Sequence, residues 1–131
     1  MHDFVLMPNH LHIILTPAPS VSLEKAMQLI KGGSFFEIHR VRGSRMQTWQ
    51  PGFHESRVMR WADYQKKAGY IGFNPVAAKL VEQPKEWPYS SANGKFQLDP
   101  IPQGLKPPNM RSAKVGPKGP TPKTTVTAAK A

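Results

Sequence analysis

The chain contains no cysteine, and it has only 8 acidic residues against 18 lysines and arginines. The first absence removes disulfides and thiolate zinc sites and fits a reducing, cytoplasmic setting. The second leaves a formal charge of +10, which makes a polyanion the natural partner. Charge alone does not choose between DNA, RNA and an anionic membrane. No apolar run approaches membrane-spanning length, so no membrane role is expected. The opening "MHDFVLMPNHLH" is broken by Pro8, Asn9 and His10 and lacks a basic leader, so it does not read as a signal peptide. No internal repeat is visible.

The scarcity of acid is uneven. Residues 1–99 carry 12 basic and 8 acidic side chains, whereas residues 100–131 carry 6 basic ones, 7 of the 14 prolines and no acid. Such a segment buries too little apolar surface to offset its ordering entropy, and a disordered basic arm is expected over 100–131. The folded unit is then 1–99, too short for a large core.

Within that unit, Phe4 to Thr16 reads as a strand with a break at Pro8-Asn9. Alternation from His10 puts His10, His12 and Ile14 on one face and Leu11, Ile13 and Leu15 on the other. Ser20 or Ser22 can cap a helix through about Lys31, with Leu23, Met27 and Ile30 on one stripe. Gly32-Gly33 is a breaker by composition, although Phe35 to His39 can resume the helix. A strand is expected over Ser56 to Met59 and a helix over Trp61 to Phe73, with Tyr64, Ala68 and Ile71 facing the core. "NPVAAKLVE" restarts a helix, with Asn74 as cap and Pro75 in the first turn. A strand as apolar as Leu11 to Leu15 belongs inside a sheet, which generally needs about three strands to stand alone. The unit supplies too few, so the sheet is expected to be completed by a partner or by a missing N-terminal part.

Two histidines at i and i+2 on a strand point the same way and can share one metal ion, while the leucine between them anchors the strand. The pattern by itself is common, and a plain polar strand face explains it equally well. Its surroundings are more specific. "MPNHLHIILTP" resembles the signature of the REP-associated tyrosine transposases, a branch of the single-tyrosine transposases with a histidine-hydrophobic-histidine motif. "SLEKAMQLIKGG", "TWQPGFHESRV" and "YIGFNPVAAKLVEQPKEWPYSSA" resemble further family segments in the same order, so the resemblance covers about residues 4–92.

What the resemblance implies is concrete. His10 and His12 match the histidine pair that binds Mg²⁺ or Mn²⁺, Tyr70 the nucleophile, and Asn74 the residue four places on that completes the metal site. Spacing agrees with the last two, because i and i+4 share a helix face. The implied fold is α+β: a ferredoxin-like antiparallel sheet with helices on one face and the tyrosine helix crossing near the metal. The implied reaction is cleavage and rejoining of single-stranded or hairpin DNA through a 5′-phosphotyrosine. The family has a strand and helix ahead of its histidine strand, so the domain is expected to be N-terminally truncated.

A groove for single strands calls for cations and aromatic platforms. Lys31, Arg40, Arg42, Arg45, Arg57 and Arg60 are the candidate cations, and Trp49 or Trp61 the candidate platform. His54, beside Glu55, could lie near the site, although a surface role is the expectation. Exchange of tyrosine helices within a homodimer stays open, as do two rival readings: a catalytically inactive DNA-binding remnant, and a hydrolase whose histidine pair activates water.

Overall fold

The computed structural model describes residues 1–43, 48–105 and 124–130. Its elements are β1 (Asp3–Met7), β2 (His10–Leu15), α1 (Leu23–Arg42), β3 (His54–Val58), α2 (Trp61–Ala77) and β4 (Thr124–Lys130), with short 3-10 turns at Pro84–Glu86 and Ser91–Asn93. The four strands form one antiparallel sheet in the order β1-β2-β4-β3. This is the α+β architecture expected.

The segment read as one interrupted strand is a hairpin. Met7 pairs with His10, so Pro8 and Asn9 are its two-residue loop. Proline suits the first central position of an ordinary turn, and neither loop residue has the positive φ that the mirror-image hairpin turns require. The reversal provides one strand the sequence reading lacked. Another comes from within 100–131, the segment expected to be a disordered arm: Thr124–Lys130 pairs with both β2 and β3. Residues 106–123 lie outside the described part.

Alternation on β2 decides how the layers pack. Leu11, Ile13 and Leu15 are buried with Met27 of α1, with Phe4, Leu23, Ile30, Trp49 and Phe53 around them. On the opposite face Val5, Met7 and Ile14 are buried with Val58, and with Tyr64 and Ile71 of α2. The two helices therefore take opposite faces, where helices on a single face were expected. Both faces of β2 are apolar below its histidines, and each needs its own cover.

Ser22 caps α1, its side chain accepting from the Lys25 amide at 3.1 Å. The helix then runs straight through Gly32-Gly33 to Gly43, whose φ of 65° closes it with a backbone bond to the His39 carbonyl. α2 likewise passes through Asn74 to Ala77, with Pro75 inside its last turn. A proline there forfeits only the bond to the Ile71 carbonyl and does not force a new helix. Asn74 is therefore not a cap.

The segment after α2 returns along the outer edge of β1. The Leu6 amide donates to the Tyr89 carbonyl at 2.8 Å, and the Trp87 indole to the Leu6 carbonyl at 2.9 Å. Ser90 bridges to Val5, and Ser91 Oγ accepts from the Phe4 amide at 3.0 Å. A row of edge donors and acceptors is thereby occupied.

Candidate active site

The hairpin loop delivers His10 and His12 to the α2 side of the sheet, on the face that holds Ile14. Their rings lie edge to face with centroids 4.8 Å apart. His12 in turn lies edge to face with Tyr70, at 5.5 Å. Tyr70 projects from α2 and is 63% exposed, while Ile71 beside it is 1% exposed and seats the helix in the core. Burial, and secondarily the neighbouring His10 charge, push the His12 imidazole below its usual 6.5. A lowered value favours the neutral ring, the form that binds metals.

His10 Nδ1 lies 2.6 Å from Asn9 Oδ1. An amide oxygen only accepts, so in the neutral ring the proton belongs on Nδ1 and the lone pair on Nε2. A fixed tautomer of this kind is typical of metal-binding histidines. Nitrogen ligands of one ion stand about 2 Å from it, hence within roughly 4 Å of each other. Rings 4.8 Å apart allow that separation. Among the described residues no three His, Cys, Asp or Glu side chains come together as a group that could hold a metal ion. Asn74, expected from the resemblance to complete a metal site, is half-buried one turn beyond Tyr70 on the same helix.

Beside Tyr70 opens a cavity of about 490 Å³, lined by His12, His54, Glu55, Ser56, Asp63, Lys66, Lys67, Tyr70 and Ile71. His12 and His54 both pair with Ala128 of β4, so they stand in one row across the sheet and share its face. His54, expected to be a surface residue, is thus both exposed and part of the cavity wall. Ser56, Asp63, Lys66 and Lys67 were not singled out from the sequence. Lys66 and Lys67 had a readable signal, since they precede Tyr70 by four and three residues, the spacing of one helix face. For His54 the sequence offered only its place beside Glu55, because its row depends on β4 lying between β2 and β3.

The cations chosen by residue type sit elsewhere. Lys31 Nζ donates to the Gln50 and Gly52 carbonyls at 2.7 and 2.8 Å, tying α1 to the loop before β3. Arg40 is paired with Glu37 at 2.8 Å, and Arg42 is exposed in the last turn of α1. Arg57 alternates with Ser56 and Val58 on β3, so it points to the face away from His12. Arg60 is exposed at the start of α2, and Arg45 lies outside the described residues. Trp49 donates its indole N–H to Ser34 Oγ at 2.8 Å and packs on the α1 core, while Trp61 stacks on Tyr64. No helix among the described residues is long and apolar enough to cross a membrane.

The family model for IS200-like transposases matches residues 1–69, which include both histidines, the sheet through β3 and the first half of α2, and stop one residue short of Tyr70. A protein of Haemophilus influenzae provisionally named a REP-associated tyrosine transposase is 25% identical over 108 residues, covering 75% of this chain and 61% of that protein. The chain thus spans less than two thirds of that curated relative's length. No solved structure matches it. With more than half of its residues matched, the chain belongs to the IS200-like transposase family.

Proposed function

We propose that this transposase cleaves and rejoins single-stranded or hairpin DNA with Tyr70 as nucleophile. The observation that carries the reading is the contact of the Tyr70 ring with His12, itself against His10, at the mouth of a cavity large enough for a nucleotide's phosphate and sugar. The Tyr70 phenolic oxygen bonds to phosphorus while the bond from phosphorus to the 3′ oxygen breaks. The phenol gives up its proton, and the departing oxygen takes one up to become a 3′-hydroxyl. One phosphoester replaces another, so the reverse attack reseals the strand without ATP.

A phenol is a weaker nucleophile than its phenolate, so position and an electrophilic phosphate must compensate. A divalent ion, Mg²⁺ or Mn²⁺, held by His10 and His12 with the Asn74 amide oxygen, would supply polarisation of a non-bridging phosphate oxygen. The chain's own part is alignment. Ile71 fixes the helix, the hairpin fixes the imidazoles, and Asn9 orients His10.

The test is incubation of a labelled hairpin oligonucleotide with the full chain and Mg²⁺ or Mn²⁺, followed by denaturing electrophoresis. A denaturant-resistant protein-DNA adduct that disappears in Tyr70→Phe is expected. Cleaved product without an adduct, or an adduct that survives Tyr70→Phe, overturns the reading.

A further inference from the structure

Lys67 differs from the other cations of this chain in its surroundings. Its side chain is half-buried in the wall of the Tyr70 cavity, and its Nζ lies 2.5 Å from Ser56 Oγ on β3. Among the described residues no ion pair joins Lys67 to a carboxylate, although Glu55 and Asp63 line the same cavity. Arg40, by contrast, is neutralised by Glu37, and the Lys31 ammonium is shared between two carbonyls.

An ammonium held by a neutral hydroxyl is not balanced by a carboxylate, and its stem is half-buried in the cavity wall. That combination favours an external anion. The residues in reach narrow the anion further. Lys67 and Tyr70 are three apart on α2, neighbours on one helix face with Cβ atoms roughly 5–6 Å apart. Whatever chain of phosphates passes the phenol passes the ammonium as well.

We propose that Lys67, anchored by Ser56, is a substrate-contacting residue that takes a phosphodiester of the DNA single strand running past Tyr70. This rests on the reading of Tyr70 as the residue that meets DNA, but it concerns binding rather than bond cleavage. Lys66, exposed on the neighbouring turn position, adds diffuse attraction and no fixed contact. The Ser56 tether restricts the lysine stem, so part of its ordering entropy is lost before the strand arrives.

Binding of a fluorescent single-stranded oligonucleotide, followed by anisotropy over a salt series with chelator present, separates the two proposals. All proteins carry Tyr70→Phe, so no chemistry intervenes. One phosphate contact contributes about 0.7 to the slope of log affinity against log salt for a single strand. Lys67→Met is expected to reduce the slope by about that amount and Lys67→Arg to preserve it. Lys25→Met, which removes an exposed charge from α1, should leave it unchanged. Ser56→Ala keeps the charge but frees the stem, and is expected to weaken affinity with the slope retained. An unchanged slope in Lys67→Met, in protein whose thermal unfolding matches the parent, overturns the proposal. An equal loss in Lys25→Met does so too, because the attraction is then general. Failure of the adduct assay leaves this result standing and removes only the proposed chemistry.

Discussion

The two faces of the sheet use the same strand for different ends. On the α1 face, Leu11, Ile13 and Leu15 meet Met27 in a purely apolar layer, and the nearby polar groups are tied up: Lys31 on two carbonyls, Trp49 on Ser34, Arg40 on Glu37. On the α2 face the same strand places two imidazoles in line with Ile14. Beyond them Tyr70 stands exposed and Lys67 meets only a hydroxyl. The three groups on the α1 face are satisfied within the chain, although on the same side His39 Nδ1 is buried without a hydrogen-bond partner and Arg42 and Arg57 stay exposed; the α2 face presents Tyr70 and Lys67 at a cavity.

The largest effects that test this contrast come from the two cores. Ile71→Ala and Met27→Ala each remove a side chain that is 1% exposed, and each is expected to lower unfolding free energy by about 2–5 kcal/mol, measured by denaturant titration. Below both transitions they should part company. Ile71 seats the helix bearing Tyr70, and misplacing reacting groups by about 1 Å lowers rates on the order of 100-fold. Met27→Ala should keep adduct formation within about twofold, since α1 holds no group of the site. Equal losses of activity would erase the distinction between the faces.

A smaller effect sharpens it at one atom. Asn9→Ala removes the acceptor that orients His10 and should weaken Mn²⁺ binding by about tenfold, read by calorimetry or by the spectrum of the ion. Asn9→Asp keeps an acceptor oxygen there and should restore most of the affinity. The smallest effect belongs to α1. A Cβ added at Gly33 would meet nothing within 4 Å, so Gly33→Ala should raise stability by up to about 1 kcal/mol with adduct formation unchanged.

Much of this was readable in advance because it depends on local period. The division of β2 into an imidazole face and an aliphatic face follows from alternation, and the Leu23, Met27, Ile30 stripe and the Tyr64, Ala68, Ile71 stripe follow from helical spacing. What escaped the sequence depends on packing between distant segments. Gly32-Gly33 lowers local helix propensity, yet α1 continues because residues on both sides of the pair are packed, Ile30 against the sheet and Phe35 against His39. Pro75 marks a helix start as readily as a late turn, and only the continuity of α2 decides between them. The cations were chosen by type, and type carries no information about which side of the sheet a residue reaches. His54 faces the cavity through a row running from β2 across β4 to β3, built on pairings of residues 116 and 74 positions apart that leave no local trace.

The return of the chain along β1 governs how two copies can meet. Tyr89, Ser90 and the Trp87 indole already satisfy the outward-facing groups of Leu6 and Val5. A neighbouring molecule cannot extend the sheet on that flank without first peeling this strap away. Self-association through continuous strand pairing is thereby steered to the opposite margin, where β3 presents His54, Glu55 and Arg57 to solvent and alternating charge discourages indiscriminate stacking.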